Sequence, residues 1–132
     1  MLNKNNIIVI YGKPGSYKSS LGVAILNNYS NSCYINLDDN KHLKINDNVK
    51  VFRKADSLDF LKNCIKEYDV TLIDYIELIK LGVDELVELK KLTKSFNKSL
   101  IIISCCSSSK RINNNDHYNE LKKISDLMIL TE

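Results

Sequence analysis

Apolar and polar positions alternate along this chain on two different periods. Asn6 to Gly12 reads NIIVIYG, a continuous β-branched and aromatic run closed by a glycine, which predicts a strand. KSSLGVAILNNY follows, with Leu21, Ala24, Ile25 and Tyr29 at helical spacing. SCYINL predicts a second strand, DDNKHLKINDN a polar loop, and VKVFR a short third strand. SLDFLKNCIKEY places Leu58, Leu61 and Ile65 on one helical face, with Ser57 as N-cap. DVTLID predicts a fourth strand, and DELVELKKLTKSF sets Leu86, Leu89, Leu92 and Phe96 on one face of a helix. SLIIISC predicts a fifth strand, SSSKRINNNDH a polar loop, YNELKKI a short helical turn and DLMILT a last strand.

Strands that are apolar throughout are buried on both faces, and helices of ten or more residues between them bring parallel strands together. The pattern therefore predicts an α/β fold of three layers around a mostly parallel sheet of about five strands. No linker, repeat or shift in composition interrupts it, so residues 1–132 are expected to form one domain. Ligands bind such sheets beyond the carboxyl ends of the strands. Polar residues just after strands one, two, four and five are the ones to weigh.

Composition changes this picture little. The chain is 44% hydrophobic and 27% charged, which excludes a disordered tail, a collagen-like stalk and a disulfide mini-protein. Nineteen basic against sixteen acidic residues leave a net charge of +3, too mild to announce a nucleic-acid protein. The excess of Lys, Asn and Ile reads as coding bias rather than function. The apolar part of MLNKNNIIVIYGK is too short for a signal peptide, and no run approaches the roughly 18 apolar residues needed to cross a bilayer. Cys33, Cys64, Cys105 and Cys106 form no C-x-x-C pair and lie far from His42 and His117, which argues against zinc or a disulfide framework. The expectation is a cytoplasmic protein, away from membranes.

The sharpest motif follows the first strand. Gly12 to Ser20 reads GKPGSYKSS, to be set against G-x-x-x-x-G-K-[ST], the Walker A loop. Gly12 supplies the first glycine, and Lys18 and Ser19 the final pair. Tyr17 stands where the second glycine belongs, and Gly15 offers one two positions earlier. In such a loop backbone N–H groups curl around phosphate oxygens, with the following helix N-terminus behind them. The lysine neutralises the β- and γ-phosphates and the hydroxyl binds Mg2+. Gly12, Lys13, Pro14, Gly15, Ser16, Tyr17, Lys18, Ser19 and Ser20 are thus the candidate nucleotide-binding residues. A non-glycine residue at Tyr17 costs roughly 1–2 kcal/mol if the backbone there needs positive φ. Its ring either crowds the nucleotide or points away to pack or stack. The plainer alternative for the whole segment is a Gly/Pro turn capping a helix.

Carboxylates end strands two and four: Asp38 and Asp39 after YINL, and Asp74 after TLI. A phosphate-loop enzyme needs one carboxylate beside Mg2+ and another to orient the attacking water. Asp74 suits the first role and Asp38 the second, with Asp39 as its alternate. A solvated turn at Asp38 and Asp39, or an N-cap at Asp74, are the bland alternatives. Glu77, Glu85 and Glu88 read as helix-surface charges.

Taken together and in order, these segments resemble the RecA-type ATPase core of the DnaB family of replicative helicases. GKPGSYKSS resembles the family's G-[RK]-P-x-x-G-K-[ST] loop, and LIDYIELI its I-D-Y-L-Q-L Walker B segment. LKKLTKSFNKSLIIISCCS resembles its L-K-x-L-A-K-x-x-x-x-P-[VI]-[IV]-x-L-S-Q-L stretch, and ISDLMIL its A-D-x-V-[LIM]-x-[LI]. INLDDN falls at the family's S-L-E-M, so the resemblance puts Asp38 at its catalytic glutamate. The matches run from Asn6 to about Thr131. The resemblance implies a RecA-like P-loop NTPase fold with Lys18, Asp38 and Asp74 as catalytic residues and ATP with Mg2+ as cofactors, the metal on Ser19 and Asp74. Cys105 stands at the family's γ-phosphate-sensing glutamine. The family's N-terminal domain and the segment with its arginine finger have no counterpart here, so the expectation is a pared core that takes its arginine, or its DNA engagement, from elsewhere.

In RecA-like ATPases the loop after the fifth strand faces single-stranded DNA, which makes Lys110 and Arg111 candidate DNA contacts. A solvated loop is the alternative, and Arg111 as an arginine finger a further one. His42 and His117 read as surface residues, and the Cys105–Cys106 pair as strand residues rather than a redox switch. The function expected from all this is ATP binding and hydrolysis in DNA replication or recombination. Its partners would be single-stranded DNA and replication or recombination proteins, in a homo-oligomer or partner-dependent assembly. One alternative is an accessory module that has lost turnover and works through a partner. Another is a ParA/MinD-type ATPase, favoured by Lys13 and YDVTLID. Against it stand Tyr75 where that group has a Thr-Pro-Pro turn, and the long leucine-patterned helix before strand five.

Overall fold

The structure is a computed structural model that describes residues 6–13, 15–38, 40–105 and 116–131, the side chains of 116 and 117 excepted. The elements run β1 (Ile7–Gly12), α1 (Lys18–Leu26), β2 (Ser32–Asn36), β3 (Val49–Phe52), α2 (Leu58–Glu67) and β4 (Val70–Asp74). A single 3-10 turn (Ile76–Leu78) then leads to α3 (Val83–Ser95), β5 (Ser99–Cys105), α4 (Asp116–Ile124) and β6 (Leu127–Thr131). The six strands form one sheet in the order β3-β2-β4-β5-β1-β6, and every described pairing is parallel.

The unbroken apolar strands have a direct cause. Ile7, Val9 and Tyr11 of β1 enter one buried cluster with Leu61, Leu86, Leu89, Tyr118 and Leu121 of α2, α3 and α4. Ile8 and Ile10 enter a second cluster with Val23, Ile25 and Leu26 of α1. Alternate residues thus face different helical layers, and each fully buried aliphatic side chain adds about 1.5–3 kcal/mol of transfer free energy. The strand set and the α/β architecture agree with the sequence reading.

Two helical faces differ from the expected ones. In α1 the buried residues are Lys18, Gly22, Val23, Ile25 and Leu26, while Ala24 is exposed and Tyr29 lies beyond the helix end. Gly22 explains the rotation: a Cβ there would come within 3.1 Å of Ile103 and 3.2 Å of Leu72, so the helix lies on its glycine. In α3 Leu86 and Leu89 are buried as expected, but Thr93 completes that face and Phe96 is left exposed past the helix end. In α2 Ser57 is the N-cap, its hydroxyl accepting from the Phe60 N–H at 3.2 Å.

Candidate nucleotide-binding site

The carboxyl ends of β1, β2, β4 and β5 open onto a cavity of about 500 Å³, lined among others by Tyr17, Lys18, Ser19, Asp38, Asn40, Asp74 and Cys105. The loop from β1 to α1 forms one wall. Gly15 takes φ 78° and Tyr17 φ 62°, ψ 27°, both left-handed. Tyr17 thus adopts the backbone that the missing glycine would supply, and its ring is 80% exposed at the rim rather than inside. Lys18 is only 7% exposed, and its ammonium donates to the Lys13 carbonyl oxygen at 2.6 Å. Ser16 donates to the same carbonyl at 2.7 Å and pairs with the Thr131 hydroxyl at 2.6 Å. Gly12 has no room for a side chain, because a Cβ would collide with the Thr131 side chain and lie 2.6 Å from its carbonyl oxygen. Gly12 and Ser16 therefore fasten the loop to β6, whereas Gly15, Tyr17, Lys18, Ser19 and Ser20 face the cavity. Pro14, Asp39, Lys110 and Arg111 lie outside the described residues.

Asp74 is the centre of the polar network. It ends β4 and is 1% exposed, and the peptide bond after it is cis. Its Oδ2 accepts from the Ser19 hydroxyl at 2.6 Å, the Tyr34 phenol at 2.6 Å and the Asn40 amide at 3.1 Å. Ser19 and Asp74, 55 positions apart, meet as the motif spacing implied. Tyr34 on β2 is fully buried; burial first, then the Asp74 charge, pushes its phenol far above the ordinary value, so it remains a donor. Asp38 is exposed at the cavity, its Oδ2 3.5 Å from the Asn40 amide.

Sequence reading missed three residues. Tyr34 was counted as strand filler, though β2–β4 register sets Tyr34 beside Leu72 and Asn36 beside Asp74. Asn40 was read as loop. Glu77 is not the surface charge expected. From the turn after β4 it accepts the Ser104 hydroxyl and, at 3.1 Å, the Cys105 N–H, holding the end of β5 at the site. Its position three residues after Asp74 was the available signal.

The site fits a hard divalent cation. Asp74 Oδ1 is buried without a hydrogen-bond partner, beside the Ser19 hydroxyl that contacts Oδ2. An orphaned carboxylate oxygen in such a place suits a cation. Among the described residues no three His, Cys, Asp or Glu side chains gather as a metal site of their own. One carboxylate and one hydroxyl are the sparse protein set of Mg2+ that keeps waters and takes phosphate oxygens.

No protein-family profile matches the chain, and no curated protein sequence does. A solved structure of the ATPase domain of a DnaB-type helicase superposes with a TM-score of 0.72 at 12% identity, over 98% of this chain and 70% of that one. At that identity the likeness speaks for the fold. Among the described residues no helix is long and apolar enough to cross a membrane. With its parallel sheet, its phosphate-type loop after β1 and a superposition spanning nearly its whole length, the chain has the RecA-like α/β fold of that ATPase domain.

Proposed function

We propose that this chain binds ATP with Mg2+ in the cavity beyond β1, β2, β4 and β5, and hydrolyses it in the service of DNA replication or recombination. The observation that carries the reading is the 2.6 Å bond between Ser19 and buried Asp74 beside the inward-held Lys18. Lys18 and the backbone from Lys13 to Ser19 would hold the phosphates. Ser19 and Asp74 would hold Mg2+, which when bound supplies charge neutralisation between the β- and γ-phosphates. Asp38, exposed and carboxylate-bearing, would orient water, and Cys105 occupies the sensing position at the end of β5. Single-stranded DNA would meet Lys110 and Arg111, in a cytoplasmic homo-oligomer or partner complex that supplies the arginine.

Titration with fluorescent ATP tests the reading first. Wild type is expected to bind with Mg2+, and Lys18→Ala to lose at least tenfold in affinity, as removal of a charge-assisted phosphate contact requires (about 1.5–3 kcal/mol). If Lys18→Ala titrates like wild type, the site is not a nucleotide site. Cys105 in place of a polar sensor favours a second reading, an accessory module that binds nucleotide without turnover. Phosphate release in the presence of single-stranded DNA separates the two readings.

A further inference from the structure

We propose that Asn40 is a built-in stand-in for the cation, an amide that holds the metal-binding oxygens together until the metal displaces it. The inference rests on the reading of this cavity as a Mg2+–nucleotide site. The Asn40 amide nitrogen lies 3.1 Å from Ser19 Oγ, 3.1 Å from Asp74 Oδ2 and 3.5 Å from Asp38 Oδ2. Those oxygens come from the hydroxyl and both carboxylates assigned to metal and water.

Hydrogen bonding fixes which end of the amide faces them. The Ser19 hydroxyl hydrogen is committed to Asp74 Oδ2, so Ser19 Oγ can only accept from Asn40. An ionised carboxylate also only accepts. The group between them must be the NH2, a pair of partly positive hydrogens directed at lone pairs that a cation would use. An N–H donor and a metal ion cannot share those lone pairs, so cation entry requires the amide to withdraw.

The placement is built in rather than a chance of a surface loop. Asn36, 1% exposed at the end of β2, donates to the Asn40 carbonyl at 3.0 Å and accepts the Asn40 N–H at 3.1 Å. This reciprocal pair closes the turn that carries Asp38 and fixes Asn40 beside the end of β4, where Asn36 is in register with Asp74. Asn40 thereby sets the Mg2+ demand of the site, and its withdrawal frees Asp38 as the metal arrives.

A fluorescent, non-hydrolysable ATP analogue titrated with and without Mg2+ tests this. In Asn40→Ala the Kd with Mg2+ should fall about three- to tenfold, the equivalent of one amide hydrogen-bonding group no longer being displaced. The Kd without Mg2+ should stay within about twofold, since that state makes no demand on the amide's place. Asn40→Ser, too short to reach, should behave alike. Melting should show both variants less stable than wild type without ligand and level with it in saturating Mg2+ and analogue. An unchanged or weaker Kd with Mg2+ overturns the proposal, the weaker value because it would make Asn40 a metal-site ligand. Asp74→Asn separates the two levels. If it loses the Mg2+ effect while Asn40→Ala matches wild type, only the Asn40 inference falls. If it keeps the Mg2+ effect, the reading of the site falls with it.

Discussion

Tyr17 carries the clearest local conflict in the chain. A left-handed backbone at φ 62°, ψ 27° costs a Cβ-bearing residue about 1–2 kcal/mol relative to glycine, and nothing in the exposed ring offsets that inside the fold. Comparing Tyr17→Ala with Tyr17→Gly isolates the backbone, because both remove the ring. The glycine variant should be the more stable by about 1 kcal/mol in urea unfolding, net of its greater unfolded-state entropy. Equal midpoints would mean that the loop does not impose the left-handed turn. The ring's position at the rim also resolves what sequence left open: it neither fills the cavity nor packs in the core. Lys18, Ser19 and Asp74 were legible because phosphate chemistry demands those residue types at motif spacing and at strand ends. Tyr34, Asn40 and Glu77 were not, because each acts on a partner 27 to 40 positions away and carries no local signature. Their roles come from strand register and turn closure, which exist only once the sheet has formed.

Strands were the most legible elements, since burial on both faces leaves an apolar run that admits little else. Helix faces were less so: α1 sits on Gly22, and a glycine gives no hydrophobic signal. Asparagine abundance, read as coding bias, has structural uses. Asn27, Asn46 and Asn48 tie the loop before β3 to the end of α1 and the turn after it, through bonds of 2.8 to 3.0 Å to Lys44, Asn27 and Tyr29. Where α3, β1 and β6 converge, Asp126 accepts the Ile7 N–H at 2.9 Å and the Lys94 ammonium at 3.0 Å. Burial alone would raise this carboxyl, but the Lys94 and Ile7 hydrogen bonds outweigh it and hold it below the ordinary range. The native protein therefore binds fewer protons here than the unfolded chain. The stabilisation is fully present above about pH 4 and is lost as pH falls through the lowered value. Asp126→Asn should cost about 1 kcal/mol at pH 7, discounted for partial exposure, and should flatten the acid limb of urea midpoints between about pH 7 and pH 3. Parallel limbs for the two proteins would assign the acid sensitivity to other carboxylates.

Across the whole molecule the site exists only as a product of long crossovers. The phosphate-type loop follows β1, yet Asp38, Asn40 and Asp74 follow β2 and β4, and β5 stands between these strands and β1 in the sheet. Thr131 at the end of β6 braces the loop from one side, and Glu77 braces the end of β5 from the other. No fragment of the sequence holds these groups together alone, so a ligand that binds them must stabilise the sheet as a unit. With Mg2+ and a non-hydrolysable ATP analogue at about 100 times Kd, linkage adds about 2.7 kcal/mol. For a domain of this size that raises Tm by roughly 8–12 °C. The chain has seven tyrosines and no tryptophan, so tyrosine emission and far-ultraviolet dichroism provide two probes of one transition. They should coincide and shift together, as two-state unfolding requires. Lys18→Ala should melt at the same temperature with and without the analogue. A split transition, in which only one probe shifts, would mean that the loop and α1 fold around ligand independently of the sheet, and the site would then be a local element rather than the product of the fold.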